Sequence, residues 1–376
     1  MLLYTLIFLI PVVSWMNAKL RNSFQWKIVV CSLIALFVCF GYMTGSDWRG
    51  YELTYYSISF KDIPIIEPGY YIYSLLMKSV GFSFWPFFII TKLLSYITVV
   101  YFIDKYAKQY FYIVIALSIS GFLFLYIDNP MRNLLAYTIF LFSIKYVLKK
   151  SFFKFFFVIL VAFQFHVTIL PFLFLYPFYN SKIGTMKLIA TFLLVYLFVS
   201  PDSIFIQKIL LSNFINLPHI GDKLLAYFVY DSAGGSTGTS FTIGTFIRFA
   251  ITILLLYYRE NIIMNQPYGN CFFNFSFLYL LFYKLGLSIM IFQRFTIYLG
   301  FFYTIIIVCL LYEFKGKLFQ LISFAYIFII GFASIYTVIT SSYKYVPYTN
   351  YVFYMNEDLS YRTRYNYNFI NSPYEK

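Results

Sequence analysis

The 376-residue sequence contains few charged residues, and few of those are acidic. Only 11% of its residues are Asp, Glu, Lys or Arg, whereas soluble domains carry about 25%. It has 14 acidic and 28 basic residues, and only four cysteines and two histidines. The shortage of charge excludes an ordinary soluble domain, a disordered chain and a nucleic-acid-binding module. The four cysteines lie in apolar runs without metal-ligand spacing, so we interpret them as packing residues.

Long apolar runs take the place of the missing charge. Of all residues, 61% are apolar and 25% are aromatic. A bilayer core of about 30 Å requires about 20 apolar residues per helix. Runs near this length recur along the chain, at residues 2–16, 28–44, 84–103, 110–127, 131–148, 187–201, 241–258, 272–292, 295–313 and 318–339.

These runs predict an all-α, polytopic integral membrane protein with about 11–12 transmembrane or half-membrane helices. We expect one helical domain over residues 1–340, followed by a tail at 341–376. The outer loops are expected at 45–83 and 202–240. Within the second loop, residues 232–240 are uncharged and rich in glycine, which is typical of a linker.

The stretch 152–179 is too long for one upright span, because a continuous helix of this length would measure about 42 Å. It forms either one strongly tilted span or two short helices hinged near residues 164–166. The basic residues of the loops before it place the N-terminus and the loop 45–83 outside under the positive-inside rule. The basic residues after it fit both arrangements. We favour the hairpin, because it puts the intramembrane cations at one level.

Several basic residues lie inside the predicted spans or at their ends, where a charge costs about 2.5–3.5 kcal/mol on insertion scales. They are Lys92, Arg132, Arg248, Lys284 and Arg294. Because no acidic residue lies well inside a span, we expect these cations to lack an acidic partner at their own depth. A phosphate or diphosphate ligand would supply the missing charge. The alternative is that each side chain reaches the membrane interface independently.

Arg132 and His166 have local contexts that suit an anion. Arg132 follows Asn129-Pro130, which predicts a helix start with Arg132 in its first turn. An anion could bind the helix amides and the guanidinium together, although Asp128 could instead neutralise Arg132. His166 lies at the proposed hinge, where it is either a hydrogen-bonded structural residue or a phosphate ligand or base.

The loop 45–83 carries the acidic candidates Asp47 and Glu67, each flanked by aromatic residues. Carboxylates beside aromatic rings suit sugar binding, and either acid could accept a proton from an attacking hydroxyl. Surface loops also carry such residues without function.

The order of short motifs along the chain resembles the EpsG family of Wzy-type polysaccharide polymerases. The motifs are Gly-Ser-Asp-Trp at 45–48, Glu-Pro-Gly-Tyr at 67–70, Arg-Asn-x-x-Ala at 132–136, Phe-His-x-Thr at 165–168, Arg294, and Tyr-Val-Pro-Tyr at 345–348. The resemblance covers residues 40–353 and implies a multi-pass enzyme of the bacterial cytoplasmic (inner) membrane. Such enzymes move a growing glycan from undecaprenyl diphosphate to a sugar hydroxyl of another lipid-linked repeat unit at the outer face.

The resemblance further implies roles for individual residues. Arg132, His166 and Arg294 would hold the diphosphate, and Asp47 and Glu67 would line the sugar site; the catalytic base is left open among Asp47, Glu67 and His166. The charge argument adds Lys92, Arg248 and Lys284 to the diphosphate site.

The expected partners are the undecaprenyl diphosphate-linked oligosaccharide, membrane lipids, a flippase and a chain-length regulator, with no nucleic acid. We expect no cofactor and metal-independent transfer. The alternatives are an O-antigen ligase-like transferase, a lipid-linked oligosaccharide flippase or other transporter, and a structural subunit of a synthesis complex.

Overall fold

The computed structural model describes most of the chain, in the stretches 2–128, 130–199, 243–266, 268–288, 291–314, 316–341, 344–356 and 360–371. No strand occurs in these stretches, and the regular elements are helices. The all-α architecture predicted from the apolar runs is therefore confirmed. The predicted glycine-rich linker and the rest of the loop 202–240 lie outside the described residues.

The described α-helices are numbered here in chain order. They are α1 Leu2–Met16, α2 Ala18–Arg21, α3 Phe24–Cys39, α4 Trp48–Ser57, α5 Pro68–Ser79, α6 Phe84–Tyr106, α7 Phe111–Phe122, α8 Met131–Leu148, α9 Phe152–Phe163, α10 Pro171–Phe174, α11 Tyr176–Tyr179, α12 Thr185–Phe198, α13 Ile243–Tyr257, α14 Arg259–Met264, α15 Gly269–Leu285, α16 Ile291–Glu313, α17 Gly316–Ser341 and α18 Tyr361–Asn371.

Three of the described helices, α6, α8 and α16, are long and apolar enough to cross a membrane. Shorter apolar helical stretches of 10–17 residues accompany them, at Leu2–Met16, Phe24–Cys39, Lys108–Ile119, Phe152–Phe163, Thr185–Leu197, Gly244–Tyr257 and Leu321–Ala333. A polytopic membrane protein explains this set of helices, because an aqueous domain could not accommodate so many apolar faces.

The chain forms two compact units. The first unit comprises Met1–Lys145, Phe153–Leu170 and Gly316–Lys376, and the second comprises Tyr146–Phe152 and Pro171–Lys315. Aromatic pairs dominate the packing of α15 against α16 in the second unit. The rings of Phe275 and Phe302 stack at 4.3 Å, and those of Tyr279 and Tyr303 stack at 4.2 Å. The high aromatic content of the sequence is thus used for helix packing.

The stretch 152–179 forms a hairpin. Helix α9 is about 18 Å long and ends before residues 164–166, where the chain turns. The ring of Tyr176 lies 5.1 Å from that of Phe152, and Asn180 donates a hydrogen bond to the Val147 carbonyl at 2.5 Å. In one continuous helix the rings of Phe152 and Tyr176 would be about 36 Å apart. The hairpin is therefore confirmed over the single tilted span.

In the first unit, α7 continues into a wide π-type turn at Leu123–Asp128, shortly before α8. Such turns disturb the regular hydrogen bonding of the backbone and need other donors. The Lys92 ammonium group donates to the Tyr126 carbonyl at 2.9 Å, and Ser95 links the Tyr126 hydroxyl to Thr138 of α8. These contacts from α6 hold the turn in front of the first residues of α8.

Candidate active site

Residues 45–47, which open the loop 45–83, lie against the end of the π-type turn. Gly45 has φ +94°, and a Cβ atom at this position would lie 1.7 Å from the Ile127 carbonyl oxygen. The Ser46 amide donates to Asp128 Oδ1 at 3.0 Å, and the Asp47 amide donates to the Asp128 carbonyl at 3.1 Å. The loop is therefore fixed to the segment that leads into α8, and only glycine fits at its point of closest approach.

Residues 67–69 of the same loop are fixed against the hinge of the hairpin. The Gly69 amide donates to the Gln164 carbonyl at 2.8 Å, and a Cβ atom on Gly69 would lie only 2.8 Å from the same oxygen. Glu67 has a left-handed backbone, with φ 61° and ψ 41°, and Pro68 begins α5. This conformation is uncommon for a residue with a Cβ atom and costs of order 1 kcal/mol or more.

Glu67, Arg132 and His166 form one cluster, which we call the Glu67 cluster. Glu67 Oε2 accepts a hydrogen bond from Arg132 Nη1 at 3.0 Å. Glu67 Oε1 lies 2.9 Å from His166 Nδ1 and accepts the Val167 amide hydrogen at 2.7 Å. The loop, the first turn of α8 and the hinge of the hairpin therefore meet at one carboxylate.

The three side chains of the Glu67 cluster differ in exposure. The Glu67 side chain is 3% exposed, that of His166 is 17% exposed and that of Arg132 is 36% exposed. The carboxylate is thus enclosed by its own partners, whereas about a third of the Arg132 side chain remains accessible. Arginine carries five N–H donors in a planar group, so donors remain after one of them has bonded Glu67.

Tyr51 of α4 also contacts the first turn of α8. The Arg132 backbone amide donates to the Tyr51 hydroxyl at 3.4 Å, and the Tyr51 ring meets the ring of Tyr70 edge-on at 5.2 Å. Burial raises the pKa of Tyr51, and the nearby charge of Arg132 offsets only part of this effect. Burial likewise raises the pKa of Tyr70. Both phenols are therefore neutral at physiological pH.

This arrangement combines an anion-binding group with a proton-transfer group. The Glu67 carboxylate neutralises Arg132 in the absence of a ligand, so the cation can be kept at the end of a membrane helix. His166 uses Nδ1 toward Glu67, which leaves Nε2 as the ring nitrogen for other contacts. The imidazole ring is therefore placed to act as an acid or base through Nε2.

One expectation about Arg132 is wrong. From the sequence we expect Arg132 to have no acidic partner at its depth, or to be neutralised by Asp128, but the structure pairs it with Glu67. Asp128 instead accepts hydrogen bonds from the Tyr345 hydroxyl at 2.7 Å and from the Ser46 amide. Glu67 reaches Arg132 because the loop 45–83 folds back over the start of α8. The predicted helix cap Asn129 lies outside the described residues.

Asp47 is exposed at the start of α4 in the same unit. Its negative charge contributes to the raised pKa of Tyr51, so it lies close to the contact between α4 and α8. The structure contains no sugar with which to test the predicted contact, and the role of Asp47 in sugar binding stays a prediction.

Lys92 has a clear structural contact. Its side chain is fully buried, its ammonium group bonds the Tyr126 carbonyl, and the same group lies 4.6 Å from the centre of the Phe88 ring. These contacts favour a role in holding the π-type turn over direct contact with a substrate. We therefore leave Lys92 out of the proposed anion site, and its predicted role in diphosphate binding stays untested.

The other predicted cations lie in the second unit. The guanidinium of Arg248 stacks on the ring of Tyr283 at 3.7 Å, and the buried Lys284 ammonium lies 5.5 Å from the ring of Tyr196. Arg294 is half-buried in the first turn of α16. No acidic side chain in the part of the chain that the structure describes pairs with these three cations. Their predicted role in diphosphate binding remains a prediction.

The C-terminal segment 344–351 supports the site in a way that sequence reasoning missed. The Tyr42 amide donates to the Thr349 carbonyl, and the Tyr351 amide donates to the Phe40 carbonyl, so the segment pairs with residues 40–42 beyond α3. Tyr345 then reaches Asp128, as described above. The available signal was the Tyr-Val-Pro-Tyr motif at 345–348, which the family resemblance had included without a role.

The fold and the site define a polytopic, all-α membrane protein with an arginine, a glutamate and a histidine gathered at one end of a spanning helix. A model of the EpsG family matches residues 24–350, and this range includes the whole Glu67 cluster. The chain belongs to the EpsG family, which is a family of Wzy-like polymerases. Membership supports a polysaccharide polymerase-type membrane protein. No curated protein and no solved structure matches the chain significantly.

Proposed function

We propose that the protein is a polysaccharide polymerase of the bacterial cytoplasmic membrane. It transfers the growing glycan from undecaprenyl diphosphate to a sugar hydroxyl of another lipid-linked repeat unit, at the outer face. The observation that carries the proposal is the Glu67 cluster, in which one carboxylate binds both Arg132, whose side chain is 36% exposed, and His166, in a chain of the EpsG family.

The chemistry of the transfer fits these groups. The acceptor hydroxyl oxygen bonds to the anomeric carbon of the donor sugar, while the bond from that carbon to the diphosphate oxygen breaks. The bonding electron pair leaves with the diphosphate, and the guanidinium of Arg132 stabilises the developing negative charge. The proton of the hydroxyl moves to His166 Nε2 and from there to water.

The position of Arg132 adds to this stabilisation. The first turn of α8 directs backbone amides and the positive end of the helix dipole toward the same region as the guanidinium. In the resting protein, Glu67 balances the charge of Arg132. A diphosphate can then bind the exposed edge of the guanidinium, and it does not have to displace another carboxylate of the protein from that edge.

The proposed sidedness rests on the loops. The cluster is built from the loop 45–83, which the basic loops elsewhere assign to the outside. We expect the hairpin at 152–179 to enter and leave the membrane on the cytoplasmic side, so that its hinge carries His166 to Glu67 of this loop. The reaction centre is therefore expected at the outer leaflet.

The test is the substitution Arg132→Lys, expressed in cells without another copy of the polymerase. We expect at least a tenfold loss of long glycan chains, because lysine keeps the charge but not the planar set of donors. Single lipid-linked repeat units should accumulate at the outer face. The matched control is Arg49→Lys, since Arg49 has a similar side-chain exposure of 39% and also pairs with a glutamate, Glu52. This control should polymerise normally.

Other outcomes separate the alternatives. If Arg132→Lys inserts in the membrane and leaves yield and chain length unchanged, the diphosphate role is refuted. If repeat units accumulate at the inner leaflet, the protein is a transporter. If polymer forms normally but is no longer passed to an acceptor other than a lipid-linked unit, the protein is a ligase-like transferase.

A further inference from the structure

The Glu67 carboxylate is occupied by contacts within the protein. One oxygen accepts from Arg132, and the other faces both His166 Nδ1 and the Val167 amide. A carboxylate surrounded by donors on both oxygens is stabilised in its charged form and is a poor proton acceptor. With its side chain only 3% exposed, it also has little surface to offer a sugar.

The position of this carboxylate is set by the backbone as well as by its partners. The left-handed conformation of Glu67, the fixed φ of Pro68 and the close contact of Gly69 with Gln164 leave the side chain little freedom. A conformation of this kind persists only where the surrounding structure enforces it, and it is typical of functional sites.

The Glu67 carboxylate decides the tautomer of His166. An ionised carboxylate has no proton to donate, and its Oε1 already accepts the Val167 N–H, so His166 Nδ1 is the donor in this contact. In the neutral imidazole the proton then lies on Nδ1, and the lone pair lies on Nε2, on the far edge of the ring.

We propose that Glu67 is a positioning residue that orients Arg132 and fixes His166 as the Nδ1–H tautomer, and that it is neither the catalytic base nor a sugar ligand. The structural part of this proposal stands on the contacts of the described residues alone. Its catalytic consequence, that the substrate meets Nε2 of His166, rests on the proposed function.

The substitution Glu67→Gln tests both parts of this role, the orientation of Arg132 and the tautomer of His166. It does so because an amide has one acceptor end and one donor end. If its oxygen serves Val167 and His166, its NH₂ group faces Arg132, which is also a donor. If its oxygen serves Arg132, the NH₂ group faces the Val167 amide. Neither orientation satisfies all the partners, so the cluster should lose its arrangement even if the protein folds.

The first experiment reads the tautomer directly in the wild-type site. The chain has two histidines, His166 and His219, so the protein labelled with ¹⁵N-histidine and carrying His219→Gln reports His166 alone. At a pH where the ring is neutral, we expect the nitrogen shifts of an Nδ1–H imidazole. In the Glu67→Gln variant, the fraction of this tautomer should fall by at least half. The control Glu52→Gln, which alters the other glutamate–arginine pair of the loop, should leave the spectrum unchanged.

The second experiment measures polymerisation against pH with lipid-linked repeat units as substrate. We expect Glu67→Gln to reduce the rate at least tenfold and to change the shape of the pH profile, while Glu67→Asp restores part of the rate with a wild-type profile. A merely structural glutamate would lower the rate by the same factor at every pH.

The possible failures are distinguishable. A wild-type His166 that is found as the Nε2–H tautomer overturns this proposal, whatever the activity. A Glu67→Gln variant that keeps the wild-type tautomer and pH profile overturns it as well. If the Nδ1–H tautomer is found but both Arg132→Lys and Glu67→Gln polymerise normally, the tautomer assignment stands, and the proposed role of the Glu67 cluster in glycan transfer is refuted instead.

Discussion

At the scale of single residues, the closest backbone contact of the site depends on Gly45. A side chain there would combine a positive φ of 94° with an atom 1.7 Å from the Ile127 carbonyl oxygen. Gly45→Ala should therefore destabilise the first unit by about 3 kcal/mol, because the loop must move away from the turn before α8. Thermal unfolding in detergent, followed by polymer yield per folded protein, measures both consequences.

Gly50 is the matched control for this prediction. It lies in α4 five residues later, and a Cβ atom at this position would meet nothing within 4 Å. Gly50→Ala should leave the protein unchanged or stabilise it by about 0.5–1 kcal/mol, since alanine is the better helix former. Equal unfolding temperatures for Gly45→Ala and Gly50→Ala would show that the contact of Gly45 is not tight in the native protein.

Lys92 allows a second prediction at this scale. Lys92→Met keeps the length of the side chain but leaves the Tyr126 carbonyl without this donor, at an expected loss of about 1–3 kcal/mol. The amount of folded protein should fall, while the dependence of the rate on substrate concentration stays the same. Lys78→Met is the control, because Lys78 also donates to a carbonyl, that of Tyr56, but is exposed and replaceable by water. A weaker apparent substrate affinity in Lys92→Met would contradict this prediction and indicate that Lys92 belongs to the diphosphate site.

The residue types of the site were predictable from the sequence, but their contacts were not. Arg132 and His166 were selected because a cation at a helix start and a histidine at a hinge are unusual. The sequence around Glu67 suggests a sugar ligand or a base. Nothing in its neighbouring residues indicates that Glu67 contacts both Arg132 and His166. The contact joins residues that are 65 and 99 positions apart, so it depends on how the outer loop folds.

At the scale of helices, the hairpin at 152–179 fixes which side of the membrane the chain reaches next. If the chain returns to the side from which α9 began, Lys182 lies on the cytoplasmic side, as does Lys150. Lys61, in the loop 45–83, lies outside. All three lysines are exposed, so each can be replaced by cysteine in a variant without native cysteines.

We expect a membrane-impermeant maleimide to label Lys61→Cys in intact cells. Lys150→Cys and Lys182→Cys should be labelled only after permeabilisation. Lys61→Cys and Lys150→Cys are the outside and inside controls, since the positive-inside rule predicts their sides from the basic loops before residue 152. Labelling of Lys182→Cys in intact cells would mean that the chain crosses the membrane between residues 152 and 182, and the proposed outer position of the later cations would then be wrong.

Apolar runs located the long helices well, because a bilayer requires both length and low charge of each span. The same criterion could not find the π-type turn at Leu123–Asp128, which is as apolar as the helix before it. It also assigned residues 344–351 to a tail. Their pairing with residues 40–42 uses backbone groups, and backbone pairing between distant segments leaves no periodic pattern in a single sequence.

At the scale of the whole molecule, basic residues outnumber acidic ones, and more than one kind of contact stabilises the cations of the two units. In the first unit, Arg132 is balanced by Glu67 and remains partly exposed, whereas the buried Lys92 contacts the Tyr126 carbonyl and the Phe88 ring. In the second unit, Arg248 and Lys284 face tyrosine rings, which attract cations through their π-electrons without neutralising them. Charge composition alone predicted that cations would be held in the membrane, but not that a carboxylate would pair with one of them while aromatic rings and backbone carbonyls contact others.

The reaction proposed here needs positive charge on the leaving diphosphate, and a fixed guanidinium can supply it in place of a divalent ion. We therefore predict that polymerisation in proteoliposomes, with lipid-linked repeat units as substrate, changes less than about twofold when EDTA replaces Mg²⁺. The Arg132→Lys variant gives the internal comparison, because a metal-assisted site would recover with added Mg²⁺ whereas a site that relies on the guanidinium would not. A tenfold or greater stimulation of the wild-type protein by Mg²⁺ would contradict the prediction and assign the charge of the transition state to an ion, with Arg132 left to bind the resting substrate.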